Sequence, residues 1–332
     1  KATDRIVAID GRPIVGITTD SVSQLLRGNA GSNVCLAIKR RSTNKPLDIK
    51  LKRANIESSA ITASFRIDNV GYIAISKFSK PLASEFLTAL KSLGDISSLV
   101  VDLRDNSGGA ITSAIDLTGL FLRKGDVIVS TEGRTNNIVY DNKRDGALID
   151  LPLVVIINEN SASASEIFAG AIQDHDRGVV IGHTSYGKGL VQRVIDFKDG
   201  TGMCLTVARY KTPSGRIIQR PYVMGQGEEY MSDTLRYMHP DSIPHNHKLL
   251  FKTLHRGRTV YGGGGITPDI YIDTDSLKLS PSLTSLYREG LFEHLSVDIW
   301  DSISADSLLG DYPTVEAFNS CYNVENSIVE RL

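Results

Sequence analysis

Apolar positions recur along this chain with two different periods. Short runs rich in Val, Ile and Leu occur at Arg5–Ile9, Val34–Ile38, Leu47–Leu51, Gly71–Ser76, Leu99–Leu103, Leu153–Ile157 and Val179–Ile181. Each is too short for a stable helix and each predicts a strand. Between them, apolar residues three and four apart, such as Leu82, Phe86, Leu87 and Leu90, predict a helix over Leu82–Leu93, with further helices over Thr19–Leu26, Ala110–Leu122 and Ala162–Gln173. Strand signals return from Val191 through Tyr210, residues 211–258 read as polar and irregular, a last extended piece lies near Ile270–Ile272, and 276–332 read as amphipathic helices. The order predicts a small β-rich module at 1–55, an α/β domain with a largely parallel sheet at 56–275, and a C-terminal helical segment of unassigned role at 276–332.

Composition narrows the function classes. The chain has 332 residues, 37 Lys and Arg against 38 Asp and Glu, and 41% hydrophobic residues, which is a globular composition and not a disordered one. A net charge of −1, with only the short clusters Lys39–Arg41 and Lys50–Arg53, argues against nucleic acid as a partner. Cys35, Cys204 and Cys321 are too dispersed for a disulfide framework or a cysteine zinc site. The longest apolar stretch, Leu151–Ile157, falls well short of the roughly 20 residues of a membrane span. Lys1 stands in place of Met and the first strand follows almost at once, so the expectation is an N-terminus cut away together with any targeting segment.

Three segments carry chemistry. Asn158–Glu166 follows a strand and precedes a helix. Ser163 sits there between Ala162 and Ala164, with Ser161 and Ser165 two places away. A serine at such a turn presents its hydroxyl near the helix N-terminus, whose free N–H groups favour a developing negative charge. The same pattern, Ser163 to Glu166, is a capping box, and a capping role alone is the competing reading. Ile181–Gln192 contains Gly182-x4-Gly187-Lys188, most of a phosphate-binding loop, but Gly189 replaces the required Ser or Thr and an extended run follows where a helix is needed. Ser185-Tyr-Gly-Lys188 fits a Ser-x-x-Lys motif, which Gly187 and Gly189 oppose as a helix. Lys188 is also a candidate base for a serine elsewhere, or a solvated surface cation. In Val101–Ala110, Gly108-Gly109 either turns an N–H toward a ligand or makes a tight strand-to-helix connection.

Taken together, Asp102–Gly109, Ser161–Glu166 and Tyr186–Gln192 resemble, in this order, motifs of the carboxyl-terminal processing peptidases, or tail-specific proteases. The likeness runs over roughly residues 60–275. It implies an α/β core like that of the crotonase and Clp protease folds, and a serine-type endopeptidase that cleaves protein or peptide C-terminal regions through an acyl-enzyme. It makes Ser163 the nucleophile, Lys188 the base, Gln192 the group orienting Lys188, and the N–H groups of Gly109 and Ala164 the oxyanion donors. A lysine accepts a proton only when neutral, which calls for a desolvated setting. The resemblance implies no cofactor, protein or peptide substrates, a periplasmic or envelope-associated location, and leaves a homo-oligomer open.

Residues 1–55 resemble the second half of a PDZ domain, through Asp4–Gly11, the helix near Asp20–Arg27 and the strand Val34–Arg40. The carboxylate-binding loop and groove strand of such a domain would precede Lys1, so capture of a free chain end by this chain is not expected. Rival readings are a catalytically silent PDZ and peptidase-like scaffold that holds peptides, and an acyl-CoA-handling enzyme. His239, His245 and His247 form a weak candidate metal site. A Ser/Lys mechanism needs neither His175 nor His183.

Overall fold

The computed structural model describes residues 4–40, 45–55, 59–134, 137–222, 225, 249–272, 280–302 and 310–322. The candidate metal histidines 239, 245 and 247 lie outside the described residues. The chain divides into two compact units, residues 58–275 and residues 1–57 with 276–332.

In the N-terminal part, β1 (Arg5–Ile9), β2 (Arg12–Pro13), β3 (Asn33–Lys39) and β4 (Leu47–Lys52) form one antiparallel sheet in the order β2-β1-β3-β4, and α1 (Thr19–Leu26) accompanies it. The alternation in β3 is the cause: Val34, Leu36 and Ile38 turn inward and meet Ile9, with Val22, Leu25 and Leu26 of α1 packed against them. Thr18 caps α1 by accepting the Ser21 N–H. Arg53 fastens the module by donating to Leu25 O, Leu26 O and Asn33 O. The C-terminal part contributes helices Pro281–Arg288, Leu291–Ser302 and Val315–Cys321.

The larger unit is built on a six-stranded sheet. Five of its strands run parallel, β6 (Val70–Ile75), β7 (Ser98–Asp102), β10 (Leu153–Ile157), β11 (Val179–Gly182) and β16 (Ile270–Tyr271), and β5 (Ile61–Ile67) adds an antiparallel edge beside β6. The strands are linked through α2 (Leu82–Ser92), α3 (Ile111–Gly119) and α4 (Ala164–Asp174), so the loops that start α3 and α4 both leave the carboxyl ends of adjacent strands, β7 and β10. That is where an open α/β sheet collects its functional groups. The expected α/β core is therefore present. β5, β8 (Val127–Gly133) and β9 (Asn137–Asp141) were not legible as strands, and α3 stops at Gly119, short of the expected Leu122.

Helix α4 is buried along its whole length, which fits its all-round small and apolar composition, Ala-Ser-Glu-Ile-Phe-Ala-Gly-Ala-Ile. Phe168 packs edge-on against Phe121, which in turn meets Phe86 of α2. A second, antiparallel sheet, in the order β12-β13-β8-β9, includes β12 (Leu190–Asp196) and β13 (Gly202–Lys211), and β14 (Leu250–Lys252) pairs with β15 (Thr259–Tyr261). No helix among the described residues is long and apolar enough to cross a membrane.

The C-terminus of α4 holds a buried ionic cluster. Arg216 and Asp174, both fully buried, lie 2.7 Å apart, while Arg216 Nη2 donates to Gln173 Oε1. Asp174 Oδ2 accepts the Ser214 N–H at 2.9 Å, and Arg258 pairs with Asp176 and Asp269. Removing one member of a buried pair strands its partner in the dry interior. Asp174→Ala is expected to cost about 3–5 kcal/mol, read from urea unfolding, and a cost under about 1 kcal/mol would show that Arg216 does not depend on it.

Candidate active site

Two loops at the sheet's carboxyl end are locked together by buried side chains. Asn106 is the centre: its carbonyl accepts the Ala162 N–H and the Ser165 hydroxyl, its Nδ2 donates to Ile75 O, and its Oδ1 accepts the Gly108 N–H. Ser161 donates to Leu103 O at 2.7 Å. The two serines flanking Ser163 at a distance of two are thus braces between loops, buried and with their hydroxyls engaged.

Gly108 has φ +100°, and a Cβ built there would come within 2.6 Å of Ala162 O, 2.8 Å of Ser163 Cβ and 2.9 Å of Ala164 N. The glycine pair is therefore pressed against the serine turn, and is more than a local connection. Gly109 is exposed, and Ala110 N–H and Phe78 N–H tie its two neighbours to strand-like partners across Phe78. Neither the Gly109 N–H nor the Ala164 N–H donates a hydrogen bond among the described residues. Ala164 is the first residue of α4, whose opening N–H groups have no intrahelical acceptor.

Ser163 is the N-cap of α4, with φ 56° and ψ −110°. An L-residue there costs on the order of 1–3 kcal/mol and persists only where its surroundings over-determine it. What holds it is Glu166, whose Oε2 accepts the Ser163 N–H at 2.8 Å. The capping pattern read from the sequence is real, and the carboxylate does much more than cap. The same Oε2 accepts the Lys188 N–H at 2.9 Å, and Oε1 accepts the Gly187 N–H at 2.7 Å and the Ser185 hydroxyl at 2.5 Å. Two N–H groups on one oxygen place the backbone nitrogens of Ser163 and Lys188 within about 6 Å of each other. Burial pushes the Glu166 carboxyl up from its ordinary value, and the hydrogen bonds from Ser185, Lys188, Gly187 and Ser163 pull it back.

Opposite this carboxylate, the Tyr210 hydroxyl lies 3.1 Å from Ser163 O and donates a short hydrogen bond to Lys188 O. Burial, with the nearby Glu166 charge, holds that hydroxyl well above its ordinary value, so it remains a donor. Lys188 itself is partly buried and pairs with no carboxylate among the described residues. Its flanking glycines are required by packing: a Cβ at Gly187, which has φ +83°, would meet Arg220 Cγ at 2.7 Å, and one at Gly189 would meet Gln219 N at 2.9 Å. Residues 183–189 form no helix and lead into β12, so neither a phosphate loop nor a helical Ser-x-x-Lys motif is built, and Ser185 is spent on Glu166. Gln192 is exposed on β12, just after a bulge, and none of its side-chain atoms hydrogen-bonds Lys188 among the described residues. His183 faces away into other contacts, with Nδ1 3.2 Å from Glu159 Oε2 and Nε2 donating to Ile272 O at 2.8 Å. His175 donates to Val127 O at the far end of α4.

Sequence reasoning placed the serine turn, the glycine pair and the lysine loop, and missed Asn106, Tyr210 and the wider role of Glu166. The signal for Glu166 was present as the capping box. Nothing local marks Tyr210, which reaches the site only through the fold of β13. Gly108→Ala would both place a side chain at φ +100° and drive it into the Ala162 carbonyl. A loss of about 1–3 kcal/mol in denaturant unfolding is expected, and unchanged stability would mean that the two loops part easily.

Part of this chain resembles known peptidases in sequence. Residues 69–225 match peptidase family S41. A carboxy-terminal-processing protease of Bartonella bacilliformis is 41% identical over 227 residues, covering 66% of this chain and 52% of that protein. The chloroplastic carboxyl-terminal-processing peptidase 1 of Arabidopsis thaliana is 36% identical over 225 residues, covering 64% of this chain and 45% of that protein. Among solved structures, a photosystem II D1 C-terminal processing protease aligns with a TM-score of 0.46 at 25% identity, covering 82% of this chain and 64% of that one. The chain spans about half the length of the curated relatives it matches. The matched segment encloses the glycine pair, the serine turn and the lysine loop, so residues 69–225 of this chain carry a peptidase family S41 domain.

Proposed function

We propose that the chain is a serine-type endopeptidase of the carboxyl-terminal processing kind, with Ser163 as nucleophile and Lys188 as general base. The observation that carries this reading is the convergence of three separate segments: one carboxylate oxygen takes the N–H groups of both Ser163 and Lys188, and Gly108 packs on Ser163. Residues 1–55 are read as a PDZ-like module on the β2-β1-β3-β4 sheet, residues 56–275 as the peptidase domain and 276–332 as an accessory helical segment. Protein or peptide chains are the substrates, in an extracytoplasmic setting, as the resemblance implies.

The chemistry follows from the groups present. Ser163 Oγ attacks the scissile carbonyl carbon as neutral Lys188 Nζ takes the hydroxyl proton. The carbonyl oxygen acquires negative charge, and the N–H groups of Gly109 and Ala164, unengaged among the described residues, are the donors assigned to receive it, helped by the positive end of α4. Collapse of the tetrahedral adduct breaks the C–N bond, and the lysine proton passes to the departing amine. Water, deprotonated by Lys188, then attacks the ester and releases the acid with Ser163 restored. Gln192 takes the orienting role once its side chain turns from solvent toward Lys188. The proton acceptor works only without an opposing carboxylate, which would hold the lysine charged, and Lys188 has none among the described residues.

Because the two residues act as a unit, Ser163→Ala and Lys188→Ala should each abolish hydrolysis of an unfolded protein substrate, with melting temperatures near that of the unmodified chain. A folded variant of either kind with full activity would end the assignment, and no turnover by the unmodified chain would favour the silent scaffold. The pH profile gives a separate check. A base must lose its proton to act, so kcat/KM is expected to rise with pH through one ionisation of the free enzyme. If that profile persists unchanged in Lys188→Arg, whose guanidinium stays protonated, the base is some other group.

A further inference from the structure

The two side chains that join the serine and lysine segments are both sequestered from solvent. Glu166 is fully buried and Tyr210 is 2% exposed, so neither reaches a substrate. Each nonetheless engages both segments, 25 positions apart in sequence, at the same two residues. Resting on the reading of Ser163 and Lys188 as nucleophile and base, we propose that Glu166 and Tyr210 are positioning residues that set the separation of this dyad: Glu166 holds the two residues by their N–H groups, and Tyr210 lies between their carbonyl oxygens.

The hydrogen-bond inventory makes the assignment specific. An ionised carboxylate is an acceptor only, with room for two donors on each oxygen, and Glu166 receives four: Ser163 N–H and Lys188 N–H on Oε2, Gly187 N–H and Ser185 O–H on Oε1. Three of the four are backbone amides that cannot reverse their polarity. Ser185 is itself pinned, because its Oγ also accepts the Ile266 N–H at 2.7 Å, and its only proton therefore points to Glu166. The site thus demands an acceptor at both oxygens, and no neutral side chain of the same shape offers that. A glutamine would turn its NH2 toward two donors at one end and leave them unpaired in a dry interior.

Tyr210 completes the frame from the carbonyl side. Ser163 O already accepts the N–H groups of Glu166 and Ile167, so the single Tyr210 proton goes to Lys188 O, the nearer of the two carbonyls. The peptide units on both sides of the Lys188 Cα are then fixed, the preceding one through its N–H by Glu166 and the following one through its C=O by Tyr210. The side chain of Lys188 leaves a backbone that cannot rotate, and Ser163 is held in its strained conformation by the same carboxylate. Reaction rates fall about 100-fold for a misplacement on the order of 1 Å, so a loss of this frame should appear in the chemical step and not in substrate binding.

The test compares Glu166→Gln, Tyr210→Phe and Lys188→Ala with the unmodified chain, using one fluorogenic peptide for kcat and KM, a small fluorophosphonate for the rate of Ser163 labelling, and urea unfolding for stability. The expected result is a fall in kcat of about 100-fold in Glu166→Gln and about tenfold in Tyr210→Phe, with KM within about twofold and labelling slowed in parallel. Adding Glu166→Gln to Lys188→Ala should bring a smaller further loss of the residual labelling rate than Glu166→Gln causes alone, since part of the Glu166 effect passes through Lys188. A purely structural role would lower the urea midpoint while leaving kcat of the folded fraction intact, and that outcome overturns the proposal. So does a rise in KM at constant kcat, or losses that add in the double variant. Should Glu166→Gln fail to fold, Tyr210→Phe decides by the same criteria. Full activity in Lys188→Ala would overturn the dyad itself, whereas an inactive Lys188→Ala beside fully active, folded Glu166→Gln and Tyr210→Phe would overturn only the positioning role.

Discussion

A carboxylate with no solvent contact is the constraint around which this site is arranged. An isolated ionised group in a dry interior would cost many kcal/mol, and it survives only when every lone pair meets a donor. Glu166 meets that requirement with the backbone of the serine turn and the backbone of the lysine loop. The chain therefore has no freedom to place these two segments apart while keeping the carboxylate satisfied. The positive φ of Ser163 and the non-helical path of residues 184–189 are consequences of the same demand, while the two glycines around Lys188 are required by close packing against Arg220 and Gln219.

The parallel sheet supplies the platform. In a parallel arrangement the loops that follow β7 and β10 emerge side by side at one edge, because the strands are neighbours in register, Leu153 opposite Leu99 and Ile156 opposite Asp102. Adjacent loops can then be bolted to each other, and Asn106 is the bolt: one buried side chain and one carbonyl connect Ile75, Gly108, Ala162 and Ser165. The cost of burying an amide side chain is offset by satisfying its donor and acceptor positions. Asp102, just before this turn, is held below the usual carboxylate range despite the opposing effect of burial, because Arg104 and Tyr72 hydrogen-bond to it. The loop leaving β7 is thus anchored at its root as well as at its tip.

Helix α4 couples the site to the rest of the unit. Its N-terminus carries Ser163 and Glu166, and its C-terminus carries Asp174 and the buried pair with Arg216. Between them lie seven further residues, Ile167 through Gln173, all buried against neighbouring helices and strands. Small side chains make this possible. A methyl group added at Gly170 would sit 3.0 Å from Thr212 and 3.1 Å from Ile266, so the helix can be enclosed on all sides only because its sequence is narrow there.

Much of this was legible in the residues themselves. Strand-to-helix turns marked by Gly108-Gly109 and by the Ser-Ala repeat announce their local conformation, because only small residues tolerate close backbone approach, and the 3.6-residue and continuous apolar patterns fixed the helices and buried strands of the α/β core. The spacing of Ser163 and Glu166 carried the capping box. Tertiary structure decided what no local pattern encodes. Ser185, read as half of a possible dyad, is a donor to Glu166. Gln192, expected beside Lys188, lies exposed after a bulge that resets the alternation of β12. β8 takes hydrogen bonds from β13, about 75 positions along the chain, while β5 and β9 pair as hairpins with β6 and β8, and Tyr210 enters the site from the end of the β12–β13 hairpin. Sequence alone determines which groups can donate, accept or turn sharply. Which donor meets which acceptor depends on long-range pairing, and that is set only when the sheet has brought residues 102–110, 158–166 and 185–189 to the same end.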